Sequence, residues 1–294
     1  MIFRNYTEAD YQGVCDFLIE LNRDSKQHIN WNWARFEWMY EHPEFDKDSK
    51  ETIGLWLDGG KIIGAAIYDM YFGEAFCGVL PEYEELYAQV LDYACRALKD
   101  DSGLAVAICR DSLQEAEIAS GKGFQVCAQS ESILEISAKQ VFSARLPDGY
   151  HFVNLDPAER AYDFQWVLWQ GFDHGEDRAE FEKTEKIVPQ IRKHLQKQLS
   201  ILVEDAFHQP AAYCCLWYDS RTEYAYVEPV CVAPAHRGKG IAKAMLYEAL
   251  NRAGICGAET AYVISDMDFY KHLGFREHSR YLFYRKIGSS QEYH

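Results

Sequence analysis

The run Arg237-Gly238-Lys239-Gly240-Ile241-Ala242 combines two glycines with two cations at the start of an apolar-periodic segment. Glycines lack a Cβ and let backbone approach a ligand closely, and the first amides of a helix have no intrahelical acceptor. Phosphate oxygens are well satisfied there, and Arg237 and Lys239 add charge at the same place. A ligand carrying a pyrophosphate is the natural guest. Two common phosphate loops do not fit. A Walker loop needs Gly-x-x-x-x-Gly-Lys-Ser/Thr, and a dinucleotide fingerprint needs Gly or Ala where Lys243 stands.

Such a loop must be held by a strand before it and a helix after it, and both are legible. Val227, Val230, Cys231 and Val232 are strand formers, Pro234 stops the strand, and Ile241, Met245 and Ala249 with Ala242, Leu246 and Leu250 make one helical face. A short strand, Ala261 to Ile264, follows. Then come Asp268-Phe269-Tyr270-Lys271-His272-Leu273-Gly274-Phe275 and a last strand, Tyr281 to Lys286. Arg237, Gly240 and Ala242 match the Arg/Gln-x-x-Gly-x-Gly/Ala signature of the acyl-CoA-dependent N-acetyltransferases of the GNAT superfamily, and the Phe-Tyr helix ending in Gly-Phe matches its last helix. On these motifs the chain resembles a GNAT enzyme.

The resemblance implies a mixed α/β (α+β) fold with a central sheet flanked by helices, and acetyl-CoA as co-substrate. It implies that Val230, Cys231 and Val232 offer a strand edge to the pantetheine while Arg237, Gly238, Lys239, Gly240, Ile241 and Ala242 hold the diphosphate. The acceptor amine must be neutral to attack. An alkyl amine of pKa about 10 is held protonated at pH 7 by about 4 kcal/mol, so a base helps. Glu228 stands where several GNAT enzymes carry that carboxylate, and strand alternation turns it away from Val227, with Asp173, His174 and His236 in reserve. The resemblance makes Tyr270 the proton donor to the departing thiolate. Attack is expected to be direct, in a ternary complex, rather than through Cys231. Ser265-Asp266 stands where the family often has an asparagine after the fifth strand, a departure from its pattern at one coenzyme contact.

At 294 residues the chain exceeds one such domain of about 150. Gly123-Phe124 precedes Gly274-Phe275 by about one domain length, ~150 residues, and strand, hairpin and helix signals recur in the same order before it. Among them, Asp58-Gly59-Gly60 marks a hairpin turn, and the aromatic run Trp31 to Tyr40 is a helix expected to pack inward. Where a phosphate loop should follow, however, the first half reads Pro81-Glu82-Tyr83-Glu84-Glu85-Leu86, with carboxylates and no glycine. The expectation is therefore a tandem pair, with a degenerate GNAT-like domain over 1–140, a linker over 141–149 and a catalytic domain over 150–294; the alternative is a single GNAT domain behind an unrelated N-terminal domain. In the second domain, Pro157 to Trp169 and Arg178 to Lys197 are expected helices. The first half would complete the acceptor cleft or form a homodimer surface.

A net charge of −16 argues against nucleic acid or an anionic membrane as partner. Nine cysteines lack Cys-x-x-Cys spacing, so no disulfide framework and no metal site is expected. No leader pattern or long apolar run stands in the sequence, which points to a cytoplasmic protein. Tandem chains of the superfamily include the mycothiol synthases, whose acceptor is a cysteinyl amine. The expected function is therefore acetyl transfer to an amine of a small molecule, and the alternative is a non-catalytic acyl-CoA-binding or regulatory module.

Overall fold

The computed structural model describes residues 1–23, 26–42, 44–154, 156, 159–184 and 196–288. In chain order these form β1 (Ile2–Asn5), α1 (Tyr11–Leu21), α2 (Trp33–Glu41), β2 (Gly54–Asp58), β3 (Lys61–Asp69), β4 (Tyr71–Val79), α3 (Tyr87–Ala97), β5 (Gly103–Cys109), α4 (Leu113–Gly121) and β6 (Gln125–Ser137). There follow β7 (His151–Asn154), α5 (Ala161–Gly171), α6 (Arg178–Phe181), β8 (Ser200–Glu204), β9 (Pro210–Tyr218), β10 (Tyr224–Val232), α7 (Ile241–Cys256), β11 (Thr260–Ile264), α8 (Asp268–His272) and β12 (Arg276–Ile287). The fold class is mixed α/β. Of the helix expected over 178–197, residues 185–195 lie outside the described residues, as do Pro157 and Ala158 of the helix expected from 157. No described helix is long and apolar enough to cross a membrane.

The chain divides into two compact units, Met1–Ile133 with Glu277–His294, and Leu134–Arg276. This differs from a division at 141–149 in two respects. The last strand, β12, belongs to the first unit, where it pairs antiparallel with β5 from Tyr281↔Cys109 to Ile287↔Gly103. In exchange, the end of β6 belongs to the second unit, where Leu134, Ile136 and Ala138 enter the core. The reason is long-range pairing: an apolar strand at the end of a chain reads the same whichever sheet edge receives it.

In the first unit the strand order is β1-β2-β3-β4-β5-β12. All neighbours are antiparallel except β4 and β5, which pair in parallel at Glu74↔Ala105 and Ala75↔Val106. Local signals set its elements. Thr7 and Asp10 form a capping box ahead of α1, with the Thr7 amide donating to Asp10 Oδ2 at 2.8 Å. Asn32 caps α2 by accepting from the Ala34 and Arg35 amides at 2.9 and 3.0 Å, and the aromatic face of that helix, Trp33, Phe36 and Tyr40, is buried.

The second unit repeats the plan with order β11-β10-β9-β8-β7 and one parallel pair, β10 with β11. Its core lies between the sheet and α7, which buries Ile241, Met245, Leu246, Ala249 and Leu250 against Ala212, Cys214 and Leu216 of β9. Truncating one such leucine to alanine costs about 2–5 kcal/mol. At the C-terminus of α7, Gly257 adopts φ +108° and the Ala258 amide returns to the Ala253 carbonyl, which ends the helix.

Candidate active site

The site is built where β10 leaves its neighbour. Its parallel ladder to β11 runs from Tyr224↔Thr260 to Tyr226↔Tyr262, and β10 continues to Val232, so the strands part beyond Tyr226. On the other side, β10 stays with β9 but slips. Val227 pairs with Leu216 and Val230 with Cys214, so Glu228 and Pro229 together face the single residue Cys215. This bulge resets the alternation. Val227 before it and Val230 and Val232 after it pack on the α7 side, whereas Cys231 turns to α5, its thiol 3.6 Å from the Val167 carbonyl.

Glu228 is half-buried in the bulge. The Tyr226 hydroxyl donates to Glu228 Oε2 at 3.4 Å, and the Trp217 indole donates to the Glu228 carbonyl at 2.7 Å. Tyr270, on α8, is buried beside Phe269 and Phe275. Burial first, then Cys214 and the Glu228 carboxylate, push its phenol above the ordinary range. The phenol is therefore a proton donor at neutral pH, within the electrostatic reach of Glu228. Cys231 is buried and its thiol is pushed up to about 12 by that burial, which leaves a poor nucleophile.

Beyond Val232, a single 3-10 turn, Pro234–His236, leads to Gly238 and Gly240. Both adopt left-handed φ, +75° and +82°, and a Cβ added at either would meet nothing within 4 Å. Glycine is thus required here for conformation, and the space over the loop is open. Gly240 is the N-cap of α7 and supplies no side-chain acceptor, so the amides of the first turn face that space unsatisfied. Ile241 anchors the turn in the core while Ala242 stays at the surface side of it.

Arg237 does something the motif alone does not show. Its guanidinium donates to the carbonyls of Val232 at 3.0 Å and Gly171 at 2.9 Å, and it pairs with Asp173 at 2.9 Å. It ties the loop to the end of α5, and Asp173, a reserve base, is its partner. Gly171 permits that approach, because a Cβ there would lie 2.5 Å from that of Cys231. Lys239 donates to the Tyr150 hydroxyl at 3.0 Å and to the Ala235 carbonyl at 3.1 Å, and Tyr150 also meets His236 Nδ1 at 2.9 Å. Burial, then Lys239, lowers the His236 pKa, so its ring is neutral at pH 7. His174, the remaining reserve base, packs its ring 5.1 Å from Trp169.

One wall of the site has no signature of its own. A groove of about 630 Å³ lies between residues 143–148 and the first turns of α7, with Arg145, Lys239, Lys243 and Tyr247 among its lining. The 143–148 segment reads as linker, yet Phe142 stacks on Tyr247 with ring centroids 4.8 Å apart and exchanges two hydrogen bonds with the Asn251 side chain. Arg145, Lys239 and Lys243 are the cations that line the groove. Phe142 and Arg145 inside a Pro-Gly punctuated segment were the available signal.

Residues 197–277 match the family model described as Acetyltransferase (GNAT) domain. The chain is similar in fold to a GCN5-related N-acetyltransferase from Sphaerobacter thermophilus, at 15% identity over 97% of this chain and 95% of that one, with a TM-score of 0.59. It is also similar to a tandem GNAT protein from the clavulanic acid biosynthesis pathway, at 15% identity over 99% of both chains and a TM-score of 0.63. A GCN5-related N-acetyltransferase from Kribbella flavida matches at 14% identity over 74% of this chain and 82% of that one, with a TM-score of 0.51. No curated protein matches the sequence. The family match is thus confined to residues 197–277, and nearly the whole chain shares the fold of GNAT structures, a tandem one included.

Proposed function

We propose that the second unit transfers an acetyl group from acetyl-CoA to the amine of a small molecule by direct attack. The observation that carries this reading is the juxtaposition of an open, uncapped glycine loop with a parted strand that holds Glu228 on one side and a protonated Tyr270 near it. The loop and the groove beside it fit the coenzyme. Unsatisfied amides at Ile241 and Ala242 suit a diphosphate, and Lys239, Lys243 and Arg145 supply the charge that Arg237 spends on the loop itself. The strand edge of Val230, Cys231 and Val232 faces away from β9 and suits the pantetheine amides.

In the reaction, the neutral amine nitrogen bonds to the thioester carbonyl carbon and the carbon–sulfur bond breaks. The amine proton passes to Glu228, directly or through water, and the thiolate takes a proton from the Tyr270 hydroxyl. Cys231 takes no covalent part, since its thiol is protonated and buried.

The test uses acetyl-CoA with a panel of small primary amines and follows release of free CoA. Tyr270→Phe is expected to lower turnover about 10–100-fold with acetyl-CoA affinity nearly unchanged. Equal loss of both would remove Tyr270 from the reaction. Glu228→Gln is expected to lower kcat/KM by a similar factor at pH 7, with a deficit that shrinks as pH rises toward the amine's own pKa. Coenzyme binding without turnover on any amine would instead support a non-catalytic acyl-CoA-binding module.

A further inference from the structure

The outer strands of the second unit bring three ligand-type side chains together, one residue along from Tyr150, which bonds Lys239 of the glycine loop. Glu204 ends β8, His208 sits in the turn to β9 with φ +59°, and His151 lies opposite Glu204 in the β7–β8 register. His151 Nε2 is 3.1 Å from Glu204 Oε2, and His208 Nδ1 is 3.3 Å from the same oxygen. All three donor atoms fall within 4.8 Å of one another. In a tetrahedral zinc site, bonds of about 2.0–2.1 Å place donor atoms about 3.3 Å apart. The two short separations already have that value.

The chemistry of the set is selective. Two imidazoles and one carboxylate suit zinc, cobalt, nickel and copper, whereas magnesium and calcium prefer all-oxygen shells. Glu204 is only 4% exposed, and its buried carboxylate is met by Arg160, His151 and His208. Arg160 binds Oε1 and leaves Oε2 to the two histidines, which is how a carboxylate ligand is oriented from behind. The absence of paired cysteines in the sequence gives no sign of this site, because its ligands come from two strands and a turn.

We propose that His151 Nε2, Glu204 Oε2 and His208 Nδ1 form a binding site for a borderline divalent metal of the zinc type, with the fourth position open to water. Such an ion ties β7, the outer strand of this unit, to the turn between β8 and β9. The role proposed for it is structural.

The experiment uses the full chain without an affinity tag, stripped with a chelator, and probed with Zn²⁺ and Co²⁺ alone. Calorimetry should find one Zn²⁺ per chain, and Co²⁺ should give the visible bands of a four-coordinate ion without thiolate charge-transfer absorption. Zinc in 100-fold excess over its Kd should raise the unfolding temperature, as binding to the folded state alone requires. His208→Asn keeps a residue that tolerates positive φ at an exposed turn, so it should fold and lose at least ten-fold in affinity, and His151→Gln should do the same. No saturable binding, affinity unchanged in both variants, or a cobalt spectrum dominated by thiolate would each overturn the assignment. None of these readouts depends on acyl transfer.

Discussion

The two units share one plan and differ at three places, and each difference falls where chemistry would be done. Both end a helix on a left-handed glycine followed by Phe. The Phe124 amide returns to the Ala119 carbonyl at 3.0 Å, and the Phe275 amide returns to that of Tyr270 at 3.1 Å. Ala119 therefore occupies in the first unit the place that Tyr270 holds in the second. Both units also have one parallel pair from which a strand runs on. In the first, β4 continues in regular register with β3 from Phe76 to Val79, whereas β10 breaks register at Glu228. After the strand, the first unit enters a 3-10 turn, Pro81–Leu86, with Glu82 and Glu84 in it; the second has Gly238 and Gly240. One scaffold thus keeps its helix ends, strand pairings and core in both units while the tyrosine, the bulge and the glycine loop stand together in the second alone.

The largest effect is expected from the loop. Titration with acetyl-CoA should give one equivalent per chain, and Gly240→Asp should weaken it at least 100-fold, because a side chain at φ +82° is strained and its charge repels the diphosphate. Two equivalents would break the comparison by giving the first unit a coenzyme site of its own. A smaller effect, about ten-fold in affinity with kcat kept, is expected of Lys243→Glu if the groove beside α7 holds the coenzyme; unchanged affinity would place the coenzyme elsewhere.

Stability changes sharpen the same contrast. Gly171→Ala should destabilise the protein by about 1–3 kcal/mol, since its Cβ would press on that of Cys231 and push α5 from the phosphate loop. An unchanged unfolding midpoint in urea would mean that α5 yields freely. The smallest effect belongs to the first unit. Arg4 and then Thr7, against a burial cost, hold the Asp10 pKa down at about 2. The pKa is lowered in the folded state, so the stabilisation is full above the ordinary carboxyl range and fades as pH falls toward 2. With Arg4 well exposed, Asp10→Asn should cost about 1 kcal/mol at pH 7, a gap that closes in acid. A gap independent of pH would mean that the charge of Asp10 is not what stabilises this end of α1.

Much of both units was legible because the signals are local. A glycine at a helix start, a helix face repeating every three to four residues and an Asp-Gly-Gly turn each act within a few residues of themselves. Arg237 was legible as a loop residue and not as a staple, since its acceptor Gly171 lies far away in sequence. The groove wall at 143–148 was hidden in a segment that reads as punctuation, and only the Phe142–Tyr247 stack makes it part of a site.

By itself, the sequence determined the fold class, the repeat of the plan and the position of the glycine loop, because periodicity, turn chemistry and missing Cβ atoms are properties of neighbouring residues. Tertiary structure alone decided three things. It sent β12 to the first unit, it slipped β10 at Glu228 so that Val230, Cys231 and Val232 changed faces, and it gathered His151, Glu204 and His208 on one edge. Each depends on strand pairing between distant residues, and a strand carries the same alternating pattern whichever partner and register it finds.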